Sequence, residues 1–318
     1  MNRPWLELRI ISRKVEAEDI VLLVLASPDG GELPPFSAGA HLDVEVAPGL
    51  VRQYSICNDP DHRDRYEIAI LRDPTSRGGS IAVHERFREL DTIRVGEPRN
   101  HFPLQPVEGE ALLVAGGIGI TPLLCMAERL SRAGAPFTLH YCTRSEKRTA
   151  FRRRIAGSAF AKQVVFHFDD GPAMQRLDPD ALFTRAASGT DAYVCGPPGF
   201  IDWICAAAGR AAFPSDRLHR EYFAAPPAAA PAAERSFQIR LASTGEVIDV
   251  GAEESAAAAL SRHGIEIPLS CEQGICGTCV TRVLEGEPDH RDMLMLDGND
   301  EFTPCCSRAL SPLLVLDL

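Results

Sequence analysis

The chain has 318 residues, a net charge of −11 and 45% hydrophobic residues. That length allows two or three domains, and the apolar fraction suits a globular protein with real cores. The acidic balance argues against a nucleic-acid partner, and Met1-Asn2-Arg3-Pro4-Trp5 leads straight into strand-like sequence with no long apolar run. This predicts neither a signal peptide nor a membrane helix, hence a cytoplasmic chain whose ten cysteines are reduced thiols and metal ligands.

Residues 6–103 read as short alternating strands, among them "IVLLVLAS", "HLDVEVAP", "VRQYSICN", "RYEIAILRD" and "DTIRVGEPR". Turn residues punctuate them about every ten positions, the pattern of a small antiparallel β-barrel. In "RQYSICNDP", Arg52, Tyr54 and Ser55 share one strand, with Arg52 and Tyr54 on one face. Arg can neutralise a phosphate, Tyr can cover an aromatic ring, and Ser can bond a ring heteroatom. Farther on, Gly78-Gly79-Ser80 precedes a helix-like run, Ile81 to Phe87, and Arg72 lies just upstream. A Gly-rich entry to a helix is an anion site, because free N–H groups and the positive dipole end converge there. Alone it would be an ordinary helix start; beside Arg-x-Tyr-Ser it reads as a flavin phosphate site.

Residues 111–221 change character. "ALLVAGG", "FTLHYCTR", "VVFHFDD" and "AYVCGPP" are apolar strands separated by helical stretches, which predicts an open parallel α/β sheet. "ALLVAGGIGITPLLCMAERLSRAG" runs strand, Gly-rich turn, helix, with Thr121 expected at the N-cap, Pro122 at the first helical position and Gly134 at the stop. Gly116, Gly117 and Gly119 would let a dinucleotide approach the backbone, although this is not G-x-G-x-x-G. Cys195, Gly196 and Pro197 form a second strand-end turn in "YVCGPPGF". Two such turns on neighbouring strands could flank a nicotinamide; Cys195 is equally readable as an inert small residue.

"YFAAPPAAAPAAERS", Tyr222 to Ser236, is rich in Ala and Pro and reads as an extended spacer. Beyond it, "FQIRLAST" and "VIDVGAEE" predict strands, 255–263 a helix, and "VTRVLEGEP" and "PLLVLDL" further strands, an α+β layout. Between them Cys271, Cys276 and Cys279 stand as C-x4-C-x2-C, the spacing by which plant-type ferredoxins hold a [2Fe–2S] cluster. Gly274 and Gly277 relieve crowding and allow positive φ where the loop bends inward, and Ser270 and Thr278 are small enough for the same site. Backbone N–H groups of such a loop can point at the sulfurs. A fourth thiolate must come from a distant segment, and "FTPCCSRAL" offers Cys305 and Cys306. Zinc sites favour two C-x2-C pairs, and only one is present.

Taken together, "RQYSICND", "GGSIAVHE", "GGIGITP", "CGPPGF", the cysteine loop, "DHRDMLM" and the terminal "LVLDL" resemble the phthalate dioxygenase reductase family, over nearly the whole chain and in that family's order. The resemblance implies an FMN-binding β-barrel domain (1–103), an NAD-binding α/β domain (104–224), a linker (225–235) and a β-grasp ferredoxin domain (236–318). It implies that Arg52, Tyr54, Ser55 and Ile56 hold the flavin, with Arg72, Gly78, Gly79 and Ser80 at its phosphate. Leu71 stands where some relatives carry Lys, leaving Arg72 as the basic residue there. Gly117, Thr121, Cys195, Gly196 and Pro197 would line the nicotinamide site, Thr143 and Arg144 would meet the adenosine side, and Phe223 would sit near the flavin. Cys305, rather than Cys306, would be the fourth ligand. No general base is expected.

The implied activity is transfer of electrons from NADH, less readily NADPH, through FMN and the [2Fe–2S] cluster to a Rieske-type aromatic oxygenase or O-demethylase. The other readings are a reductase for a cytochrome P450 or another one-electron acceptor, and a non-catalytic electron-carrier or zinc-bearing module. A monomer is expected when free. From Arg235 to Leu318 there are 6 Arg, no Lys and 14 acidic residues, a balance of −8, which suggests a docking face for a basic partner.

Overall fold

Alternating and continuous apolar runs fold here into different kinds of sheet. The computed structural model describes residues 5–74, 78–106, 109–223, 235–269, 271–294 and 300–318. The chain divides into two compact units, Met1–Phe223 and Ala224–Leu318.

In the first unit, β1 (Trp5–Ala17), β2 (Ile20–Ala26), β3 (His41–Ala47), β4 (Leu50–Ser55), β5 (Tyr66–Leu71) and β6 (Thr92–Gly96) pair antiparallel in the order β4-β3-β6-β1-β2-β5. A bridge from Ile56 to Ile68 joins the two edge strands and closes the barrel. Ile10, Leu23, Leu25, Leu42, Val44 and Ile68 fill it and are fully buried. Each such side chain stabilises the fold by about 1.5–3 kcal/mol relative to exposure. Helix α1 (Gly79–Arg86) follows β5 and packs on β3, β4 and β5.

The next elements alternate: β7 (Ala111–Gly116), α2 (Ile120–Ala133), β8 (Phe137–Thr143), α3 (Arg152–Ala156), β9 (Val164–Phe168), α4 (Pro179–Arg185), β10 (Asp191–Gly196), α5 (Pro198–Arg210) and β11 (Leu218–Tyr222). The strands are parallel, in the order β11-β10-β7-β8-β9. Strands β7 and β10 are buried at every residue, as central strands covered on both faces must be. From β7 the chain builds outward to β9, then returns to β10 on the other side. The strand order therefore reverses between β7 and β10, and at such a reversal the loops beyond the carboxyl ends part to leave a crevice.

Two local expectations need correcting. Thr121 is not the N-cap of α2: a 3₁₀ turn over Gly117–Gly119 comes first, Gly119 occupies the cap position, and Ile120 opens the helix. The Thr121 hydroxyl instead donates to the Ile118 carbonyl at 3.1 Å, and Pro122 lies inside the first turn. Gly134 does end the helix, in the left-handed region at φ 66°. Tyr222, read as the start of the spacer, closes strand β11. The linker 225–235 lies, except for Arg235, outside the described residues.

The second unit contains β12 (Phe237–Leu241), β13 (Val247–Val250), α6 (Ala256–Arg262), β14 (Thr281–Glu285), β15 (Pro288–Asp289), β16 (Glu301–Phe302), β17 (Arg308–Ala309) and β18 (Leu313–Leu316). Its main sheet runs β13-β12-β18-β14-β16, with β12 parallel to β18, and β15 pairs with β17 separately. Ser255 caps α6 by accepting from the Ala258 N–H at 3.1 Å. Ile239, Ile248, Leu260, Phe302 and Leu314 form its core. Among the described residues no helix is long and apolar enough to cross a membrane.

Candidate functional site

Arg52 and the glycine turn, 27 positions apart in sequence, meet in the barrel. Gly78 takes φ 84° at the cap of α1, and Gly79 is its first residue. A Cβ on Gly79 would fall 2.6 Å from Arg52 Cγ and 2.9 Å from its Nε. The Arg52 side chain therefore lies across the start of α1, held by a 2.8 Å bond from Nη1 to the Val51 carbonyl. A guanidinium over the N-terminal end of a helix is a chemically sound phosphate cradle. Ser80 exchanges bonds with the Asp73 backbone at 3.1 and 3.4 Å, tying the turn to the end of β5. Arg72 lies just past β5, exposed, 3.7 Å from Glu85 of α1. Tyr54 is partly buried against the barrel core, and burial lifts its phenol well above the usual range. Ser55 and Ile56 are buried at the strand end.

The two glycine turns of the parallel sheet also meet, at the crevice between β7 and β10. A Cβ on Gly119 would collide with the Cys195 carbonyl and come 2.6 Å from the Gly196 nitrogen; one on Gly196 would fall 3.0 Å from Gly116 Cα. Backbone packs on backbone here, so no side chain fits at Gly119 or Gly196. Gly117, at φ 57°, has open space where a Cβ would point. Pro197 is exposed at the cap of α5, and Phe200 lies over Gly116 and Gly196, 2.6 and 2.8 Å from their absent Cβ positions. Strand β5 of the barrel runs against the Gly117–Gly119 turn, so the barrel and the glycine turn are neighbours.

Cys195 is fully buried, and its parallel partner on β11 is Glu221, with Sγ 3.9 Å from Oε2. Burial pushes the Glu221 carboxyl up to about 8 and the Cys195 thiol well above its ordinary range. Both are thus neutral at pH 7. Phe223 follows β11 and is half-exposed. Thr143 is buried at the end of β8, its hydroxyl bonded to the Ser145 carbonyl (3.2 Å) and Thr149 Oγ1 (2.6 Å), whereas Arg144 is exposed.

In the second unit Cys271, Cys276 and Cys279 are all buried, and none of the ten cysteines is in a disulfide. The Cys271 thiol lies within reach of Cys276 and Cys305, and the Cys305 thiol within reach of Cys279 as well. Gly274 at φ 70° and Gly277 at φ 64° turn the loop inward. Backbone N–H groups point at the sulfurs: Gln273 to Cys271 at 3.3 Å and Thr278 to Cys276 at 3.4 Å. Ser270 lies outside the described residues. Among the described residues no three His, Cys, Asp or Glu side chains form a cage for a single ion. A [2Fe–2S] cluster needs four thiolates on two irons, and Cys271, Cys276, Cys279 and Cys305 would supply them. These residues fit the cluster. Cys306 stands next to Cys305, its sulfur 3.4 Å from Thr303 Oγ1 and 3.9 Å from Ser307 Oγ.

Residues 239–310 match the 2Fe-2S iron-sulfur cluster binding domain. The vanillate O-demethylase oxidoreductase of Pseudomonas sp. (strain HR199 / DSM 7063) is 50% identical over 98% of this chain and 100% of its own length. The phthalate dioxygenase reductase of Burkholderia cepacia is 39% identical, covering 99% of this chain and 98% of that protein. The chain belongs to the phthalate dioxygenase reductase family. A solved phthalate dioxygenase reductase, described as a modular structure for electron transfer from pyridine nucleotides to [2Fe-2S], matches with a TM-score of 0.73 at 39% identity over 99% of this chain and 98% of its own. An intact type IV self-sufficient cytochrome P450 monooxygenase matches with a TM-score of 0.91 at 36% identity; the match covers 99% of this chain and 41% of that protein. The family's three-part architecture, antiparallel flavin-type barrel, parallel nucleotide-type sheet and C-terminal ferredoxin-type domain, is the one found here.

Sequence reasoning missed Glu221 and Phe200. Glu221 was detectable as an acid inside a strand, beside Tyr222, at the carboxyl end of a parallel sheet. Phe200 carried no signal, because its role depends on lying over two glycines from separate strands.

Proposed function

We propose that this chain is the NADH-dependent reductase component of an oxygenase system, using FMN and a [2Fe–2S] cluster to supply a Rieske-type terminal oxygenase or O-demethylase. The observation that carries the reading is the gathering of the Cys271, Cys276, Cys279 and Cys305 thiols within reach of one another, in a chain that also holds two nucleotide-type sites. When bound, the flavin takes up hydride and the cluster carries single electrons, so together they divide a two-electron donor's charge.

The chain's residues supply position and environment. Arg52 and the first turn of α1 hold the flavin phosphate, with Gly78, Gly79 and Ser80 giving backbone access and Arg72 adding charge nearby. Tyr54, Ser55 and Ile56 line the ring, with Phe223 close to it. Gly117, Thr121, Gly196 and Pro197 leave the nicotinamide a path to the crevice, and neutral Cys195 and Glu221 keep fixed charge away from it. Thr143 and Arg144 stand on the adenosine side. Asp169 and Asp170, whose N–H groups donate to the Thr143 and Arg144 carbonyls at 3.0 and 3.2 Å, bring acid beside Arg144 and support NADH over NADPH. The functional boundaries follow the same division: 1–103 for flavin, 104–224 for nicotinamide, 236–318 for the cluster. We read the protein as cytoplasmic and monomeric when free; among the described residues no helix is long and apolar enough to cross a membrane.

The similarity to the reductase part of a self-sufficient P450 favours a second acceptor, a cytochrome P450. Anaerobic NADH titration should bleach a flavin spectrum and then reduce an iron–sulfur chromophore, and reconstitution with each acceptor class should give product only with a Rieske oxygenase. Turnover with a P450 alone would favour the second reading. An NADH-inert protein would end both.

A further inference from the structure

Away from both glycine turns, two histidines of the parallel sheet are joined edge to edge of neighbouring strands. His140 stands on β8 and His167 on β9, the last strand of the sheet, and both are half-buried. Their rings stack, with centroids 5.2 Å and planes 18° apart, and His140 Nδ1 lies 2.9 Å from His167 Nε2. His167 Nδ1 lies 2.9 Å from the Gln175 carbonyl oxygen.

A carbonyl only accepts, so His167 Nδ1 carries a proton and donates it to Gln175. Burial first, and the neighbouring His167 next, take His140 down to about 4, and burial also lowers His167. Each ring therefore holds a single proton at pH 7. His167 Nε2 is then a lone pair, and the proton between the rings belongs to His140 Nδ1. The result is a one-way relay, from His140 to His167 and from His167 to the Gln175 carbonyl. Each bond polarises the next, and a turned His167 ring would lose both.

Gln175 ends a 3₁₀ turn over Ala173–Gln175, on the loop beyond the carboxyl end of β9. That loop begins with Asp169 and Asp170, both exposed, whose N–H groups donate to the Thr143 and Arg144 carbonyls at 3.0 and 3.2 Å. Its returning limb folds back through Arg176, whose guanidinium donates to the Asp169 carbonyl at 3.2 Å. One limb is thus pinned to the end of β8 by backbone, and the other is pinned to the sheet through His167. Strand β9 is paired on one side only, and a surface loop held by few bonds opens easily, so each tie counts.

We propose that His140 and His167 are positioning residues for the adenosine end of the nicotinamide dinucleotide, locking the loop so that the Asp169 and Asp170 carboxylates face the ribose hydroxyls. This rests on the reading above that the ends of β8 and β9 form the adenosine side. A carboxylate accepts from a ribose 2′-hydroxyl and repels a 2′-phosphate. The relay therefore acts on dinucleotide affinity and on the choice of NADH, and leaves hydride transfer, which the same reading assigns to the β7–β10 crevice, untouched.

The test uses the full-length flavoprotein as wild type, His167→Phe, His167→Asn and His140→Phe. Phe keeps a stacked ring without hydrogen bonds, and Asn keeps a donor near Nδ1. Stopped-flow flavin reduction gives an apparent Kd and a limiting rate for NADH and for NADPH, and nitrogen NMR shifts report the ring tautomers. In wild type both rings should carry the proton on Nδ1. His167→Phe should raise the Kd for NADH about five- to tenfold, the worth of one or two hydrogen bonds, at an unchanged limiting rate and with a smaller change for NADPH. His140→Phe should act in the same direction by less, because His167 keeps its bond to Gln175, and His167→Asn should return towards wild type. Wild-type NADH affinity in His167→Phe overturns the proposal, and so does an equal loss for both dinucleotides or a fall confined to the limiting rate. If His167→Phe does not fold, His140→Phe decides: wild-type affinity there overturns the proposal. A wild type that NADH does not reduce would defeat the functional reading, and this proposal with it.

Discussion

In the cluster loop the groups that matter are side chains; in the parallel sheet they are places where no side chain stands. Cys271, Cys276, Cys279 and Cys305 bring four sulfurs together, while the loop backbone bends to serve them. At the β7–β10 crevice, Gly116, Gly119 and Gly196 bring bare backbone together, and the neighbouring Cys195 thiol is buried and neutral. Cysteines of the same chain are thus expected to have opposite standing: the four should be irreplaceable because sulfur is the chemistry, and Cys195 replaceable by another small neutral residue.

The largest effect tests the first half of that contrast. Cys276→Ser should cut electron delivery to an external one-electron acceptor by more than about 100-fold, beyond the 10–100-fold typical of residues that merely support ligands. Flavin reduction by NADH, followed by stopped flow, should stay near the wild-type rate. Loss of both would show that the two stages are not separable. The second half is tested at Gly119. Gly119→Val meets the Cys195 carbonyl and should cost about 1–3 kcal/mol in thermal or urea unfolding, as overpacking does, with a matching fall in kcat/KM for NADH. Cys195→Ser should leave NADH kinetics within about tenfold of wild type, roughly 1.4 kcal/mol. If Cys195→Ser were the more damaging of the two, the sheet site would depend on sulfur after all.

Much of the cluster site is written in one short stretch, and for that reason the sequence alone exposes it. C-x4-C-x2-C sets three ligands within nine residues, and Gly274 and Gly277 sit where positive φ is required. The choice between Cys305 and Cys306 is different, since it depends on which thiol turns towards Cys279. The fold class was legible from periodicity, because β7 and, after Asp191, β10 are apolar runs while the barrel strands alternate. The start of α2 was not, since Thr121-Pro122 carries an ordinary capping signature and the Gly117–Gly119 turn displaces it. Arg52 over Gly79 and Cys195 beside Glu221 join residues about 26 positions apart through sheet register, which no local pattern encodes.

Glu221 sharpens the comparison through pH. Its carboxyl ionises near 4.5 when unexceptional and near 8 in the folded chain, because burial disfavours the charge. Between those values the folded state keeps a proton that the unfolded chain has lost. Its contribution is therefore complete below 4.5 and is lost as pH rises through about 8. Glu221→Gln cannot ionise, so its Tm should fall less than that of wild type between pH 6 and 9, by a margin on the order of a few degrees. Parallel Tm curves would mean the carboxyl is not buried in the sense described. A modest effect is expected at Gly79→Ala, where the new methyl displaces Arg52; FMN affinity should drop about tenfold, measured by flavin fluorescence on dilution. Unchanged affinity would separate Arg52 from the phosphate.

The central claim is that four named sulfurs hold a binuclear cluster in a chain that also binds a flavin. Anaerobic purification of the full chain followed by analysis of iron, acid-labile sulfide and flavin tests it most directly. The account predicts two irons, two sulfides and one FMN per chain, as a [2Fe–2S] flavoprotein requires. Zinc in place of iron, or a colourless protein with neither, would contradict it.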